Sequence, residues 1–529
     1  LFNPSQHAMN PIELNLFSSR LEAICEQMGE VLRNAAFSPN IRDRLDFSCA
    51  IFSANGELSA QAAHIPVHLG SMAFAMSSIV SEIQWSGGDQ VILNDPYLGG
   101  THLPDVTLIA PVFNESQLVA FVVNRAHHAN IGSETPGSMP VSSSLHDEGL
   151  IISPQLFYQA GQPVDEVIER LQSQLGGTEA TGDFSAQVSA NRFGVRVLQA
   201  LIDEMTLQSY QHGLQALNNY AARLAASAIS SIPEGQYEFE DFMDDDGQEN
   251  QAIKIRLCLT VNTGRVNADF NGTADQVQGN INCPLSVAAA GVFYVFRCLM
   301  PEQTPACAGA FRAITVSAPA GCLLNASYPA AVAAGNVETS TRVVDVTLGA
   351  LAKAIPVKIP AASHGSMNNV AMGSSSEQHG WNYYETIGGG MGAGLQGGGL
   401  SAVQTHMTNT LNTPIEVLEK QFPLQISEYG IRHGSGGAGH RNGGDGLIRE
   451  FRFLQPAQVS VLTERRHFAP WGANGGNDGK PGLNRLNGKK MGAKFQVNVD
   501  RGDILRVETP GGGAYGACNT GADKLEGKN

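Results

Sequence analysis

Two apolar strands joined by a short polar turn set the strongest constraint on how this chain folds. The segments VTLIAPVF and LVAFVVNRAHH flank an Asn-Glu-Ser turn, a pattern that predicts a β-hairpin of buried strands. A hairpin brings the start of its first strand beside the end of its second. We therefore expect His102 and Asp105, which precede the hairpin, to lie next to His127 and His128, which end it.

Imidazole and carboxylate groups brought together in this way indicate a divalent metal site. Five of the fourteen histidines lie between residues 64 and 128, and two further aspartates, Asp43 and Asp46, lie just upstream. The ligands that we predict are Asp46, His102, Asp105 and His127. Asp43 stays open as an alternative to Asp46. His128 stays open as an alternative to His127, because strand alternation sends these two neighbours to opposite faces.

The mixture of ligands bears on the metal and on its chemistry. A mononuclear iron oxygenase uses two histidines and one carboxylate, often with an H-x-D/E pair. This chain has H-x-x-D from His102 to Asp105 and a second carboxylate available. This set of ligands favours zinc or manganese, acting as a Lewis acid that activates water. His64 and His68 lie four residues apart, which permits them to line the same pocket, to bind substrate or a second metal, or to be ordinary core histidines.

Composition narrows the classes of partner and the compartment. The chain has 529 residues, 42% of them hydrophobic, and a formal net charge of −16, which disfavours nucleic acid and anionic membranes as main partners. Its eight cysteines are scattered, and several, including Cys49 and Cys298, lie in apolar runs, so we expect buried, reduced thiols. Neither a spanning apolar run nor a signal pattern is found in the sequence, and we expect a cytoplasmic location.

Periodicity predicts an α+β chain of several domains, with a metal-binding N-terminal module followed by β-rich, Gly-rich regions. The domains that we predict are a catalytic module over residues 1–232, a β-rich middle domain with one helix over 233–330, and a Gly-rich region over 331–529 that closes the site. The helices that we predict are Pro11–Asn34, Gly70–Ile83, a long helical stretch over Phe193–Ser231, and PLSVAAAGVFYVFRCLM. The glycines of the last region suit either tight turns and bulges or loops that approach a ligand or partner closely.

The chain offers no convincing nucleotide site of its own. The segment GGNDGKPG has Asn474 where the first glycine of a phosphate loop belongs, and Pro481 where serine or threonine should follow the lysine. No cofactor-binding residue is therefore predicted, and if the reaction needs ATP, we expect another polypeptide to bind it.

Many separate strings resemble the hydantoinase B/oxoprolinase family over nearly the whole chain. They include RLDFSCAIFSANGEL, HIPVHLGSM, NDPYLGGTHLPDVTL, GNVETSTRVVDVTLGAL, HGSMNNVAMG, YYETIGGGMGA, THMTNTLNTPIEVLE and SGGAGHRNGGDG. The chain departs from the family pattern in GGGAYGACNTG, where the family usually reads GGGGYGDP, and at His440 and Asn442.

The resemblance implies a division of labour between two subunits. A hydantoinase A-type ATPase would phosphorylate a hydantoin, 5-oxoproline or related lactam, and this chain would hydrolyse the activated ring at one divalent metal (zinc, with manganese or iron as alternatives). The resemblance implies the same four ligands, and it leaves His68 or His128 to move a proton. It also implies an α2β2 assembly. A subunit of an ATP-dependent ketone carboxylase and a non-catalytic structural subunit are the alternatives.

Overall fold

The computed structural model of the protein describes residues 9–62, 64–133, 135–175, 178–374 and 380–518. Within these residues, four β-sheets combine with α-helices, which confirms the predicted α+β class. No helix in the described part of the chain is both long enough and apolar enough to cross a membrane.

An antiparallel sheet of seven strands forms the N-terminal half. Its strands are β1 (Phe47–Ser53), β2 (Leu58–Gln61), β3 (Gln90–Leu93), β4 (Asp105–Asn114), β5 (Gln117–His127), β6 (Gln155–Gln159) and β7 (Gln162–Pro163). They lie in the order β2-β1-β5-β4-β3-β6-β7. The predicted hairpin is confirmed as β4–β5, the central pair, in which nearly every residue is buried. The hairpin is therefore held rigidly from both sides.

Helices cover this sheet, and only some of them begin or end where the sequence indicates. The helices of this half are α1 (Pro11–Ala35), α2 (Pro39–Arg42), α3 (Pro66–Glu82), α4 (Asp165–Leu175), α5 (Thr178–Met205) and α6 (Leu207–Ser230). Asn10 caps α1 by accepting hydrogen bonds from the backbone N–H groups of Ile12 and Glu13. Helix α3 begins four residues before the predicted start, at a proline that suits the first helical turn.

The predicted helical stretch over Phe193–Ser231 is helical, but it is interrupted at one residue. The chain breaks at Thr206, whose φ of +73° is incompatible with a continuing helix. The Thr206 hydroxyl accepts a hydrogen bond from the backbone N–H of Ser209 and so caps α6. Two separate helices, α5 and α6, therefore make up the predicted stretch.

The middle of the chain adds a second sheet and two buried helices. Their bounds are β8 (Gly235–Asp245), β9 (Gln251–Asn262), β10 (Arg265–Asp269), β11 (Ile314–Ser317), α7 (Leu285–Leu299) and α8 (Ser340–Ala354). The strand order is β11-β10-β9-β8, and one turn of π-helix, Gly335–Thr339, leads into α8. One hydrophobic core runs from Phe17 in α1 through this sheet to Leu462. The two boundaries between the three predicted domains stay a prediction.

Two further sheets complete the fold. The remaining elements are β12 (Asn369–Ser374), β13 (Trp381–Glu385), α9 (Ile415–Gln421), β14 (Leu424–Arg432), β15 (Gly446–Phe453), β16 (Ala457–Leu462), β17 (Leu483–Leu486), β18 (Lys489–Met491), β19 (Lys494–Val499) and β20 (Ile504–Glu508). The sheets have the orders β13-β12-β16-β19 and β14-β15-β20-β17-β18. They enclose a core that is separate from the one that runs from Phe17 to Leu462.

The Gly-rich segments pack against one another, backbone on backbone. A Cβ on Gly390 would lie 2.0 Å from the carbonyl oxygen of Gly444, and one on Gly512 would lie 2.1 Å from that of Met391. Hydrogen bonds join the same segments, such as the one from the Gly512 N–H to the Gly444 carbonyl at 2.9 Å. Contact between segments of the same chain, which neither proposed role of the glycines included, thus accounts for these positions. The end of GGGAYGACNTG lies outside the described residues.

The cysteines follow the prediction only in part. All eight are unpaired, and Cys25, Cys49, Cys283, Cys307 and Cys322 are buried. The expectation of burial is wrong for Cys298, which lies on the outer face of α7, and Cys518 is also exposed.

Candidate active site

The hairpin places the two halves of the predicted constellation directly opposite one another. Asp105 is the first residue of β4 and His127 is the last of β5, and the two are paired across the ladder. His102 lies in the turn before β4, where its carbonyl accepts a hydrogen bond from the Asp105 N–H at 3.1 Å. All three side chains are buried.

Both imidazoles converge on one oxygen of Asp105. The Asp105 Oδ1 atom lies 3.1 Å from His102 Nε2 and 3.1 Å from His127 Nδ1. The ligand atoms of these three residues all lie within 4.8 Å of one another, which is a group able to hold a metal ion. Burial raises the pKa of Asp105, but the neighbouring imidazoles outweigh it and hold that pKa well below its usual range.

The other carboxylate oxygen is held by donors. The Thr101 hydroxyl donates to Asp105 Oδ2 at 2.7 Å, and the Asn336 side-chain amide donates to the same atom at 3.0 Å. His68 Nε2 lies 3.2 Å from it. These contacts fix the orientation of the carboxylate and leave Oδ1 directed at His102 and His127.

The tautomer of His102 follows from its surroundings. Its Nδ1 lies 3.0 Å from the Ala333 carbonyl, which can only accept, so Nδ1 carries the proton and donates it. The lone pair of Nε2 then faces the Asp105 oxygen, and neither His102 Nε2 nor His127 Nε2 has a hydrogen-bond partner. Two acceptors facing each other need a proton or a cation between them. These residues therefore fit a divalent metal ion.

The pKa values of His102 and His127 shift in opposite directions. Burial lowers the pKa of His102, yet the Asp105 carboxylate more than offsets burial, so the net pKa is raised. Burial also lowers the pKa of His127, and there it prevails over the attraction of the aspartates. His127 is thus a neutral imidazole, the form that binds metal.

Asp46, rather than Asp43, lies beside this group. Asp46 immediately precedes β1, is 6% exposed, and lines the same small cavity as His102 and His127. Its carboxylate lies 3.7 Å from the buried guanidinium of Arg44. Asp43 instead pairs with its neighbour Arg42 at 3.1 Å.

The cavity is small and has walls from distant parts of the chain. Its volume is about 20 Å³, enough for about one ion or water molecule. Tyr384 stacks on His127 with ring centroids 4.6 Å apart. Thr386, Thr408 and Thr410 contribute further hydroxyl groups.

The two histidines proposed for proton transfer occupy different surroundings. His68 lines the cavity, and the Ser48 hydroxyl lies 3.3 Å from its Nδ1. His128 follows the last residue of β5, stacks on Phe184, and contacts the Gln187 side chain at 2.9 Å. The structure thus brings His68 to Asp105 and directs His128 into the packing against α5.

His64 and His68 do not share a pocket. His64 lines a separate cavity, while its Nδ1 accepts a hydrogen bond from the Cys49 N–H at 3.3 Å. Burial, together with nearby His68, lowers the pKa of His64 to about 4, so it is neutral near pH 7.

Several contributors to this site were missed by sequence reasoning. They are Thr101, Asn336, Tyr384, Thr386, Thr408 and Thr410. Most lie in the strings NVETST, YYETIGGG and THMTNT, in which polar residues interrupt apolar or glycine-rich sequence. These interruptions are the sequence signal from which the missed site residues could have been predicted.

Comparison with known proteins decides the family. The model of the hydantoinase B/oxoprolinase family matches residues 10–518. The chain belongs to this family. It is 38% identical to 5-oxoprolinase 1 of Arabidopsis thaliana over 97% of its own length, and it spans 42% of that protein. It is 29% identical to a candidate B-type subunit of a D-/L-hydantoinase from Pseudomonas sp. (strain NS671), covering 96% of this chain and 90% of that protein.

Solved structures agree with the family assignment. The ATP-dependent caprolactamase of Pseudomonas jessenii superimposes on this chain with a TM-score of 0.90 at 25% identity. The superposition covers 97% of this chain and 92% of the caprolactamase chain. A nucleotide-free acetone carboxylase shares the fold, with a TM-score of 0.86 at 16% identity over 96% of this chain and 76% of that one. The family includes ATP-dependent enzymes acting on oxoproline, hydantoins and lactams, with ketone carboxylases as relatives in fold.

Proposed function

We propose that this chain is the metal-dependent catalytic subunit of an ATP-dependent cyclic amidase. It hydrolyses a hydantoin, 5-oxoproline or related lactam that a partner has phosphorylated. The observation that carries the proposal is the buried carboxylate of Asp105, which the side chains of His68, His102 and His127 contact at 3.1–3.2 Å.

Four side chains would hold the metal ion: Asp46, His102, Asp105 and His127. When bound, a divalent ion there supplies Lewis-acid polarisation and lowers the pKa of a coordinated water to about 7. Two carboxylates with two imidazoles favour zinc, with manganese and iron as further candidates. The unpartnered Nε2 atom of His127 and the 3.1 Å contact between His102 Nε2 and Asp105 Oδ1 support this set.

The other residues of the cavity position protons and exclude water. The Ser48 hydroxyl accepts from the Ile65 N–H at 3.2 Å and is therefore free to donate to His68 Nδ1. His68 then carries its proton on Nε2, beside Asp105, and is the group that moves a proton to or from the substrate. Val67, Val337 and Met367 keep bulk water away.

Phosphorylation by a partner answers a chemical need. Amide resonance makes a lactam carbon a poor electrophile, and phosphorylation on oxygen produces an imidate-like carbon with a good leaving group. The Pseudomonas relative is named as one subunit of a hydantoinase, which supports a hydantoinase A-type ATPase as partner, and we propose an α2β2 assembly. The eight unpaired cysteines support a reducing, cytoplasmic compartment.

The test is ring opening by the reconstituted complex. The chain and its ATPase partner are purified together, and lactam hydrolysis and ADP release are followed with hydantoin, 5-oxoproline and caprolactam. We expect ring opening that needs ATP, stops on chelation, and is lost in Asp105→Ala while ADP release by the partner persists. Ring opening that survives in Asp105→Ala contradicts the proposal. Fixation of bicarbonate into acetone, without lactam hydrolysis, would replace it by the carboxylase alternative.

A further inference from the structure

Three threonines line the small cavity at the proposed metal site, here called the metal cavity. Thr386 follows β13, whereas Thr408 and Thr410 lie in the segment that leads to α9. All three are buried, and together they are called the threonine wall. A buried hydroxyl without a partner costs free energy. The hydrogen bonds that these hydroxyls make, and those that they leave unmade, therefore indicate which ligand the wall suits.

The hydroxyl of Thr386 donates to that of Thr410. The Thr386 oxygen accepts from the Arg44 guanidinium at 3.4 Å and from the Gln404 side-chain amide at 3.4 Å, and these two donors occupy both of its lone pairs. Its proton is then left for the Thr410 oxygen, 2.7 Å away. Because the Thr410 oxygen accepts this hydrogen bond, its own O–H is free to donate to a group in the cavity.

Thr408 supplies a second donor. Its side chain is buried and lines the metal cavity, yet its hydroxyl has no hydrogen-bond partner in the described part of the chain. Asn409, the residue between the two threonines, lines a different cavity and donates to the His64 carbonyl at 3.1 Å. The wall thus presents two O–H donors, from Thr408 and Thr410, and this arrangement suits a ligand that has acceptor oxygens.

The charges around the cavity favour an anionic ligand. The two carboxylates of the proposed metal site, Asp46 and Asp105, are neutralised by a divalent ion. The guanidinium of Arg44 then remains as a fully buried positive charge, and its Nε has no hydrogen-bond partner. Since Arg44 donates to Thr386, it polarises the chain of hydroxyls and strengthens the donor at Thr410.

The anion that the proposed reaction brings to this metal is a phosphoryl group. The activated ring carries that group on the oxygen bonded to the carbon that is hydrolysed. The group must therefore enter the cavity wherever the carbon does. A phosphoryl group presents three strong acceptor oxygens, and O–H donors in a site without bulk water bind such oxygens well.

The segment 404–410, which carries two of the three threonines, is the wall that can give way to a ligand of this size. The metal cavity has a volume of about 20 Å³, so room must be made for a phosphoryl group. Among the described residues, no backbone-to-backbone hydrogen bond involves 404–410, whereas the flanking residues Val403 and Leu411 are both held by such bonds. Met407 packs into the core through a flexible, unbranched side chain. The segment can therefore shift without breaking a backbone ladder.

We propose that Thr408 and Thr410 bind the phosphoryl group of the activated substrate, and that segment 404–410 moves outward to admit it. This inference rests on the proposed function and deepens it. Thr386 is a positioning residue, because its proton leaves the Thr410 O–H directed at the cavity. Loss of either donor should weaken the binding of a phosphoryl group about 10-fold or more.

Inorganic phosphate is the probe for this site. It is titrated calorimetrically into the metal-loaded chain and into Thr408→Val and Thr410→Val, which keep the shape of the side chain and remove the hydroxyl. We expect each variant to bind phosphate about 10-fold or more weakly, with its metal content unchanged. Thr405→Val, on the same segment but outside the cavity lining, is the matched control and should bind as wild type does. Equal binding by wild type and both other variants, or no binding by wild type, overturns the assignment.

Turnover by the complex separates this proposal from the proposed function. With hydantoin, 5-oxoproline and caprolactam as substrates, Thr408→Val and Thr410→Val should open fewer rings per ADP released, because the activated substrate escapes before it is hydrolysed. Phosphate binding that both variants weaken, without ring opening by the wild-type complex, would keep the site and refute the hydrolase function. Ring opening by the wild-type complex, with the same number of rings opened per ADP in both variants, would keep the function and refute the site.

Discussion

Replacing Asn336 by alanine tests whether Asp105 is held in place for a metal ion. Asn336 is buried, lies 231 residues from Asp105 in sequence, and donates to its Oδ2 at 3.0 Å. A hydrogen bond to a charged group contributes about 1.5–3 kcal/mol. Since each 1.4 kcal/mol corresponds to about a tenfold change in a binding constant, Asn336→Ala should weaken metal binding by about 10- to 100-fold.

The assay is competition for the metal with a chelator of known affinity, followed by turnover of the complex with added metal. We expect kcat to recover at saturating metal, because Asn336 orients a ligand without being one. Asn484→Ala is the matched control. It removes a buried amide whose donors reach Thr463 and Gly492 in the C-terminal sheets, so stability should fall and metal affinity should not. Unchanged metal affinity in Asn336→Ala would refute this account of Asp105.

Three further predictions concern the proton carrier, acid stability and the glycine packing. His68→Gln should lower kcat about 100-fold or more with metal content retained, whereas His128→Gln should leave kcat near wild type; equal losses in steady-state assays would contradict the assignment. His364 is neutral when folded, because burial and nearby His406 lower its pKa from 6.5 to about 3. The unfolded chain therefore takes up this proton first, and the free energy of unfolding falls as pH drops from 6.5 towards 3, by up to about 1.4 kcal/mol per pH unit. Urea titrations at several pH values should show that the free energy of unfolding of His364→Gln falls less steeply with falling pH than that of wild type. The same pH dependence in both proteins would rule out this contribution. Gly512→Ala should cost about 3 kcal/mol or more in the same titrations, since the new Cβ meets only backbone, whereas Gly397→Ala has open space; equal stability of the two variants would refute the packing account.

Local pattern was sufficient for the central hairpin. Alternating and apolar residues around a three-residue turn predicted β4–β5, and antiparallel pairing alone then brought His127 opposite Asp105. Strand alternation also anticipated that His127 and His128 would part. These inferences hold because each depends on residues close together in sequence.

Contacts between segments that are distant in sequence could not be predicted from the local sequence pattern. Asn336 and Tyr384 reach the site from more than 200 residues away, and no periodicity in the sequence encodes such a meeting. The break at Thr206 depends on one side-chain cap that overrides the helical pattern on both sides. The choice between Asp43 and Asp46 depends on a turn in which Leu45 has a φ of +58°.

The Gly-rich region shows a different limit. Composition suited either tight turns and bulges or loops that approach a ligand or partner, and it did not indicate contact between segments of the same chain. The neighbours proved to be other glycine segments of the same chain, as at Gly390 and Gly444. Such packing is specified jointly by several segments, so no single string predicts it.

Metal content measured by elemental analysis tests the central claim most directly. Wild type is compared with His102→Ala and Asp105→Ala, and His128→Ala serves as the histidine control. We expect about one zinc, manganese or iron ion per chain in wild type and in His128→Ala, and its loss in the other two variants. A wild-type chain without metal, or metal that both substitutions leave in place, would contradict a metal site at Asp105 and move the catalytic assignment to the partner.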